Sequence, residues 1–288
     1  MSHLNGRNCN SIFENDRDIN MSPKITIYIP VYNGANYIEC AIKSVLRQTY
    51  KNISLIISDN CSTDETVSIV SKYLYDERIT LIKQHNNGGM LKNCNDGLDR
   101  IKTEYFMMIS HDDYFYSDNA LEAGIEILEK NKNIPAVYSY TMFVDDRGRP
   151  IIQRKFKYRG LTSGDIVAKK SIIACRNLYG IPLLIRAKSI KELRYSEGFD
   201  NSADVDFSIS ISKGHQIYYV PKSLLAIRFH GNNATARNYL KVIKEFQRMA
   251  IKQNIKLSKT ELLQMNINHL ITVYKKYLFY FYLDNIRR

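Results

Sequence analysis

Four short runs of apolar, largely β-branched residues each end in polar turn residues, and each is followed by a stretch with helical periodicity. They are KITIYIPVYN (24–33), ISLIISDN (53–60), RITLIKQ (78–84) and YFMMISHDDYF (105–115). After the first, Ile38, Ala41, Ile42, Val45 and Leu46 recur at the i, i+3, i+4, i+7, i+8 spacing of an amphipathic helix. Asn36 with Glu39 predicts a capping pair for that helix, and Ser62 with Glu65 predicts one for the next. NCNDGLDRI reads as a third helix, and Ser117 opens a fourth that carries Leu121, Ile125 and Leu128. Strand and helix alternating at this spacing predict an α/β domain, a mostly parallel sheet flanked by helices on both faces.

In such sheets ligands bind beyond the carboxyl ends of the strands. That rule gathers Tyr32 and Asn33, Asp59 and Asn60, and Asp112 and Asp113 on one edge. Asp112 and Asp113 are adjacent carboxylates with no basic residue close by in sequence, an arrangement penalised by desolvation and mutual repulsion. Either the pair is solvated at a loop mouth, or something positive sits there. The segment GANYIE is not a GxGxxG fingerprint and no Walker lysine occurs, so a dinucleotide or P-loop cradle is not expected. Carboxylates and amides without a phosphate-binding glycine loop point to a divalent cation, Mg²⁺ or Mn²⁺, bridging carboxylate to diphosphate.

Composition narrows the class further. With 288 residues, 44% of them hydrophobic, the chain can build one sizeable core plus an appendage. Its five cysteines are scattered and never form CxxC, which argues against a disulfide framework or zinc knuckle and for a reducing, cytoplasmic setting. Residues 1–22 are polar and Asn-rich, expected to be a disordered leader rather than a signal peptide. No apolar run approaches the roughly 18 residues of a membrane span. The formal charge is +12, and the residues from Arg237 onward hold eleven Lys or Arg against three Asp or Glu, a net +8. No nucleic-acid-binding module accompanies that charge. The tail HLITVYKKYLFYFYLDNIRR instead mixes cations with aromatics at helical spacing, as would an interfacial helix on an anionic membrane surface or a helix packed on the domain.

Taken in order, IPVYN, AIKSVLRQTY, LIISDNCSTDET, NNGGMLKNCNDGL, ISHDD, ADVDFSISISKGHQIYYVP and IRFHGNNAT resemble the family 2 glycosyltransferases, which have the GT-A fold. The resemblance runs from about Lys24 to Thr235. It implies a catalytic domain over 23–235 and leaves 236–288 as a C-terminal helical extension. It further implies transfer of a sugar with inversion, from a nucleoside-diphosphate sugar of the UDP type to a glycan or lipid-linked acceptor of surface polysaccharide synthesis. The enzyme would be cytoplasmic or peripheral at the inner membrane face.

By that resemblance Pro30, Tyr32 and Asn33 contact the nucleotide and Asp59 accepts the N3–H of uracil, the alternative for Asp59 being a strand-end turn residue. Asp112 is the carboxylate nearest the metal, with Asp113 beside it and His230 as a further metal or diphosphate contact. Asp204 is the base, Asp206 its alternate. Several positions depart from the family pattern. Ser110 stands where an aspartate usually holds the ribose, and Cys94 where an arginine usually precedes Asn95, leaving Lys92 to supply charge. Ala203 replaces a glutamate, and the arginine that often follows the Asp204 motif is missing, with Ser210 and Ser212 in that region. Those losses keep a non-catalytic nucleotide-sugar scaffold in play. A sugar-1-phosphate nucleotidyltransferase would need a Gly-rich basic loop that IPVYNGANY lacks.

Overall fold

Every residue of 25–31 except Pro30 is buried, as expected of a strand covered on both faces. The structure, a computed structural model, describes residues 24–199, 201–229 and 239–286, without side chains for 239–241 and 275–286. The expected leader and His230 lie outside the described residues. Strand β1 (Ile25–Val31) is followed by α1 (Ile38–Leu46), β2 (Ile53–Asp59), α2 (Thr66–Ser71), β3 (Ile79–Lys83), α3 (Met90–Asp99) and β4 (Tyr105–Met108). The four strands pair in parallel in the order β3-β2-β1-β4, with Val31 opposite Asp59 and Asp59 opposite Lys83. Their carboxyl ends therefore share one edge.

The second half widens the sheet. It contains β5 (Tyr114–Phe115), α4 (Ala120–Lys130), β6 (Ala136–Val144), β7 (Pro150–Arg154), β8 (Gly160–Ser163), α5 (Gly164–Ala174), β9 (Pro182–Arg186), α6 (Ala203–Ser212) and β10 (Gln216–Arg228). Strand β9 runs antiparallel between β4 and β6, while β6 and β10 pair in parallel, so Val144 and Arg228 end on the same edge as β4. The result is a mixed sheet whose N-terminal half is parallel, the α/β arrangement expected from the sequence.

Side chains along β1 alternate between two cores, as a period of two requires. Ile25, Ile27, Ile29 and Val31 pack with α1, α2 and α4, while Tyr28 joins Phe106, Tyr138 and the α5–α6 side. Helix α7 (Tyr239–Lys252) and the start of α8 (Lys259–Ile286) belong to the second core: Val242, Phe246, Met249, Ala250 and Met265 are buried in it. These buried residues precede the tail HLITVYKKYLFYFYLDNIRR, for which the interfacial and packed alternatives were drawn. The charged aromatic stretch beyond Tyr274 lies outside the described side chains. Among the described residues no helix is long and apolar enough to cross a membrane.

Two expected caps are corrected. The N-cap of α1 is Tyr37, not Asn36, and Glu39 is drawn off to Lys43 and the Tyr73 hydroxyl. The N-cap of α2 is Glu65; Asp64 receives the Thr66 N–H, and Ser62 is used elsewhere. Helix α4 begins at Ala120, with Ser117 one turn ahead of it supplying its carbonyl to the Ala120 N–H.

Candidate active site

The loop after β1 is stitched to the loop after β2. The Asn33 N–H donates to Ser62 Oγ (2.9 Å), Asn33 Oδ1 accepts from the Thr63 N–H (2.9 Å), Gly34 N–H donates to Thr66 Oγ1 (2.9 Å) and Ala35 N–H to Asp64 Oδ2 (3.0 Å). Asn33 sits at φ 50°, a left-handed conformation that asparagine tolerates. Gly34 lies against the His111 ring; a Cβ there would come within 2.6 Å of it. Two loops far apart in sequence thereby meet, and Tyr32 projects beside them, 45% exposed. Pro30, on β1 opposite Ser58, lies half-buried beneath.

Asp59 closes this corner. It is 3% exposed, and its Oδ2 accepts the Ser62 N–H at 3.1 Å. Its Oδ1 is buried and has no hydrogen-bond partner among the described residues. A buried carboxylate oxygen with nothing to accept is costly, and native proteins keep few of them without a functional reason. Beside it the Asn60 and Asn87 side chains bond each other, and Asn60 Oδ1 receives the Gly88 N–H, which sets the loop into α3.

The Asp112–Asp113 pair divides. Asp112 is half-buried, and the Ser110 hydroxyl donates to its Oδ1. Asp113 turns inward, 7% exposed, and its Oδ1 accepts the Arg228 N–H at 3.0 Å. Burial and the neighbouring Asp112 charge hold the Asp113 carboxyl well above the usual carboxylate range. Arg228, distant in sequence, also braces the turn through its side chain. Its Nε donates to the Asp112 carbonyl (3.1 Å), its Nη1 to the Asp146 carbonyl (2.8 Å), and its guanidinium lies 4.9 Å from the Tyr37 ring centre. Arg228 thus ties the Asp112 turn to the ends of β6 and α1. Carboxylate oxygens are the hard donors that Mg²⁺ or Mn²⁺ takes, so Asp112 fits such an ion, whereas Asp113, expected beside the metal, turns into the interior, and His230 lies outside the described residues. Among the described residues no three acidic, His or Cys groups converge into a complete metal cluster.

Asp204 stands at the second position of α6. Asn177 Nδ2 donates to its Oδ2 at 2.6 Å. The carboxylate is open on one side, yet desolvation by the surrounding protein raises it above its ordinary value. Asp206 is placed quite differently, 1% exposed and held by Lys252 (2.5 Å) and by Gln253 Nε2 (2.9 Å). The alternate base is thus spent on α7. Asn95 is also committed, exchanging two hydrogen bonds with the Tyr195 backbone (2.8 and 3.0 Å), and Lys92 pairs with Asp96 at 2.9 Å on the open face of α3. Cys94 is buried, its thiol pushed up to about 12. It fills core space where a cation was expected.

Glycosyl transferase family 2 matches over residues 26–178, more than half of the chain. The chain belongs to that family. A glycosyltransferase of Rickettsia bellii is 32% identical over 234 residues, covering 78% of this chain and 33% of its own; the chain spans about a third of that relative. Among solved structures, S. aureus TarS 1–349 in complex with UDP-GlcNAc superposes with a TM-score of 0.67 at 19% identity, over 84% of this chain and 69% of that one. The mannosyltransferase PcManGT of Pyrobaculum calidifontis, in complex with GDP-Man and Mn²⁺, gives 0.56 at 13% identity, over 90% and 83%.

In this family 2 chain, three supporting residues had escaped the sequence reading. Asn177 orients Asp204. Asn93 locks α3 to the sheet, donating to the Ser58 carbonyl (3.0 Å) and accepting from the Tyr28 hydroxyl (3.0 Å). Glu245 of α7, 4% exposed, accepts from Asn201 Nδ2 (2.8 Å), the Asn201 N–H (3.2 Å) and the Ser202 hydroxyl (2.7 Å), fixing the turn that leads into Asp204. Removing it strands three donors. Glu245→Ala is expected to cost about 1–3 kcal/mol, read as a lowered urea midpoint with an unchanged m-value. An unchanged midpoint would mean the clamp carries no stability.

Proposed function

We propose that the chain transfers a sugar from a UDP-sugar to a glycan acceptor hydroxyl with inversion, with Asp59 holding the base, Asp112 the divalent cation and Asp204 the acceptor proton. The observation that carries this reading is the buried, unpartnered Oδ1 of Asp59 at the carboxyl edge. A uracil N3–H is a donor of the kind that oxygen lacks, while its Oδ2 stays on Ser62. The UDP-GlcNAc complex of TarS and the GDP-Man and Mn²⁺ complex of PcManGT support a nucleotide-sugar donor and a cation by likeness of fold.

In the proposed reaction Asp204 accepts the proton of the acceptor hydroxyl as that oxygen bonds the anomeric carbon. The bond from that carbon to the diphosphate breaks on the opposite side, and UDP leaves. A Mn²⁺ or Mg²⁺ at Asp112 would neutralise the charge that grows on the leaving diphosphate. Pro30, Tyr32, Asn33 and Ser110 would line the nucleoside and sugar. Lys92 and Asn95, each already engaged, would contribute to the diphosphate only by exchanging those partners.

Asp59→Asn tests the central contact. Asparagine has one oxygen for two donors, so an NH₂ must face either Ser62 N–H or uracil N3–H. Calorimetry should show UDP binding weakened by about tenfold to a hundredfold, the worth of a hydrogen bond to a charged group. CDP, whose N3 accepts, should weaken far less. Equal UDP affinity in the variant would remove Asp59 from the uracil site.

A further inference from the structure

Beside Asp204 lies a concentration of positive charge that the donor chemistry does not use. We propose that Arg154 and Arg176 form an anion subsite for the acceptor, so that the hydroxyl presented to Asp204 belongs to a chain bearing phosphodiester or carboxylate groups. This rests on the assignment of Asp204 to the acceptor side.

Arg154 is the last residue of β7, opposite Thr141 of β6. Its guanidinium lies 4.9 Å from the Phe156 ring centre and donates to the Asn177 carbonyl, and Asn177 in turn donates to Asp204. Arg154 is therefore one residue removed from the base. Arg176 precedes Asn177 in the turn that ends α5, where Cys175 adopts φ 48° and the Arg176 N–H returns to the Ser171 carbonyl at 3.2 Å. Arg176 is thus the chain neighbour of the residue whose carbonyl Arg154 holds, and burial, then the Arg176 charge, lowers Arg154 below its usual value.

Among the described residues neither arginine has a carboxylate ion-pair partner. The acid that does act on Arg154 is Asp204, which the transfer reaction needs for a proton. Two like charges that share Asp204 as their counter-charge leave room for a further anion, and the planar guanidinium fork suits phosphate and carboxylate oxygens. The field continues outward. Residues 150–163 hold Arg154, Lys155, Lys157 and Arg159 and no acid. Lys155, Lys157 and Arg159 are exposed, and Arg154 is half-buried. A neutral glycan would gain little from this stretch, whereas a repeating anionic one would be steered along it.

The test is equilibrium binding of three probes to the full chain: a glycerol phosphate oligomer, a glucuronate-containing oligosaccharide and a neutral maltooligosaccharide. An anionic probe should bind and the neutral one should not, with affinity falling as salt rises. Which anionic probe binds tells phosphodiester from carboxylate. Arg176→Gln, at an exposed position, should weaken that binding by about tenfold or more. Arg154→Gln with Arg176→Gln should weaken it further. Melting temperature and UDP affinity of each variant report folding. Binding of neither anion, equal binding of the neutral probe, or unchanged affinity in Arg176→Gln would overturn the subsite. So would an Arg154→Gln that shifts only the pH profile of transfer, since that marks a residue tuning Asp204. Because probe binding requires no donor, loss of the UDP-sugar reading would leave this result standing, and the reverse.

Discussion

Asp204→Asn is expected to transfer sugar at least about a hundredfold more slowly than the unaltered chain, while melting no lower. Both halves follow from the same placement. An amide can still accept the Asn177 Nδ2 bond that orients position 204, and it can still occupy the first turn of α6. It cannot take a proton. Desolvation raises the Asp204 carboxyl in the folded chain, so its ionised form is less favoured there than in the unfolded chain. Above that raised pKa the charge costs stability, and a neutral amide is expected to relieve the cost. The base must be ionised to act, so kcat/KM should fall as pH drops through this raised pKa. Asp206→Asn should behave differently, losing the Lys252 contact and lowering the melting temperature. Near-normal turnover in Asp204→Asn would remove it as the base.

Asp112→Ala should abolish the metal-dependent part of UDP affinity and reduce transfer by about a hundredfold or more, the scale of losing electrostatic stabilisation of a leaving group. The turn itself should survive, because Arg228 holds it through the Asp112 carbonyl and the Asp113 carboxylate, neither of which the substitution removes. The comparison is UDP titrated with and without Mn²⁺ in both proteins. Turnover in the unaltered chain that is unaffected by EDTA would contradict the assignment of Asp112.

The parallel half was legible because its rules are local. Four apolar runs marked four parallel strands, and the switch from apolar run to polar turn marked the edge on which Asp59 and Asp112 fall. What could not be seen was whatever depends on partners distant in sequence. Asp113 looked like a second exposed carboxylate because Arg228 lies 115 residues away, and no spacing reveals that bond. Asp206 stood as an alternate base until α7 supplied Lys252 and Gln253. The caps failed for a similar reason: Ser62 and Glu39 had better partners in Asn33 and in Lys43 and Tyr73 than in their own helix ends. The antiparallel insertion of β9 left no pattern in PLLIR that differs from a parallel strand. The cluster of Arg154, Asn177 and Asp204 joins three segments, and only the last carried a recognisable motif.

The proposed donor would lie across one edge of the sheet, uracil at Asp59 and diphosphate at Asp112. The most direct measurement is a crystal structure of the chain with UDP and Mn²⁺. The expected result is uracil N3 within hydrogen-bond distance of Asp59 Oδ1, the ion bridging the diphosphate to Asp112, and Asp204 free to face an acceptor. A nucleotide bound away from Asp59, or an ion held without Asp112, would contradict it.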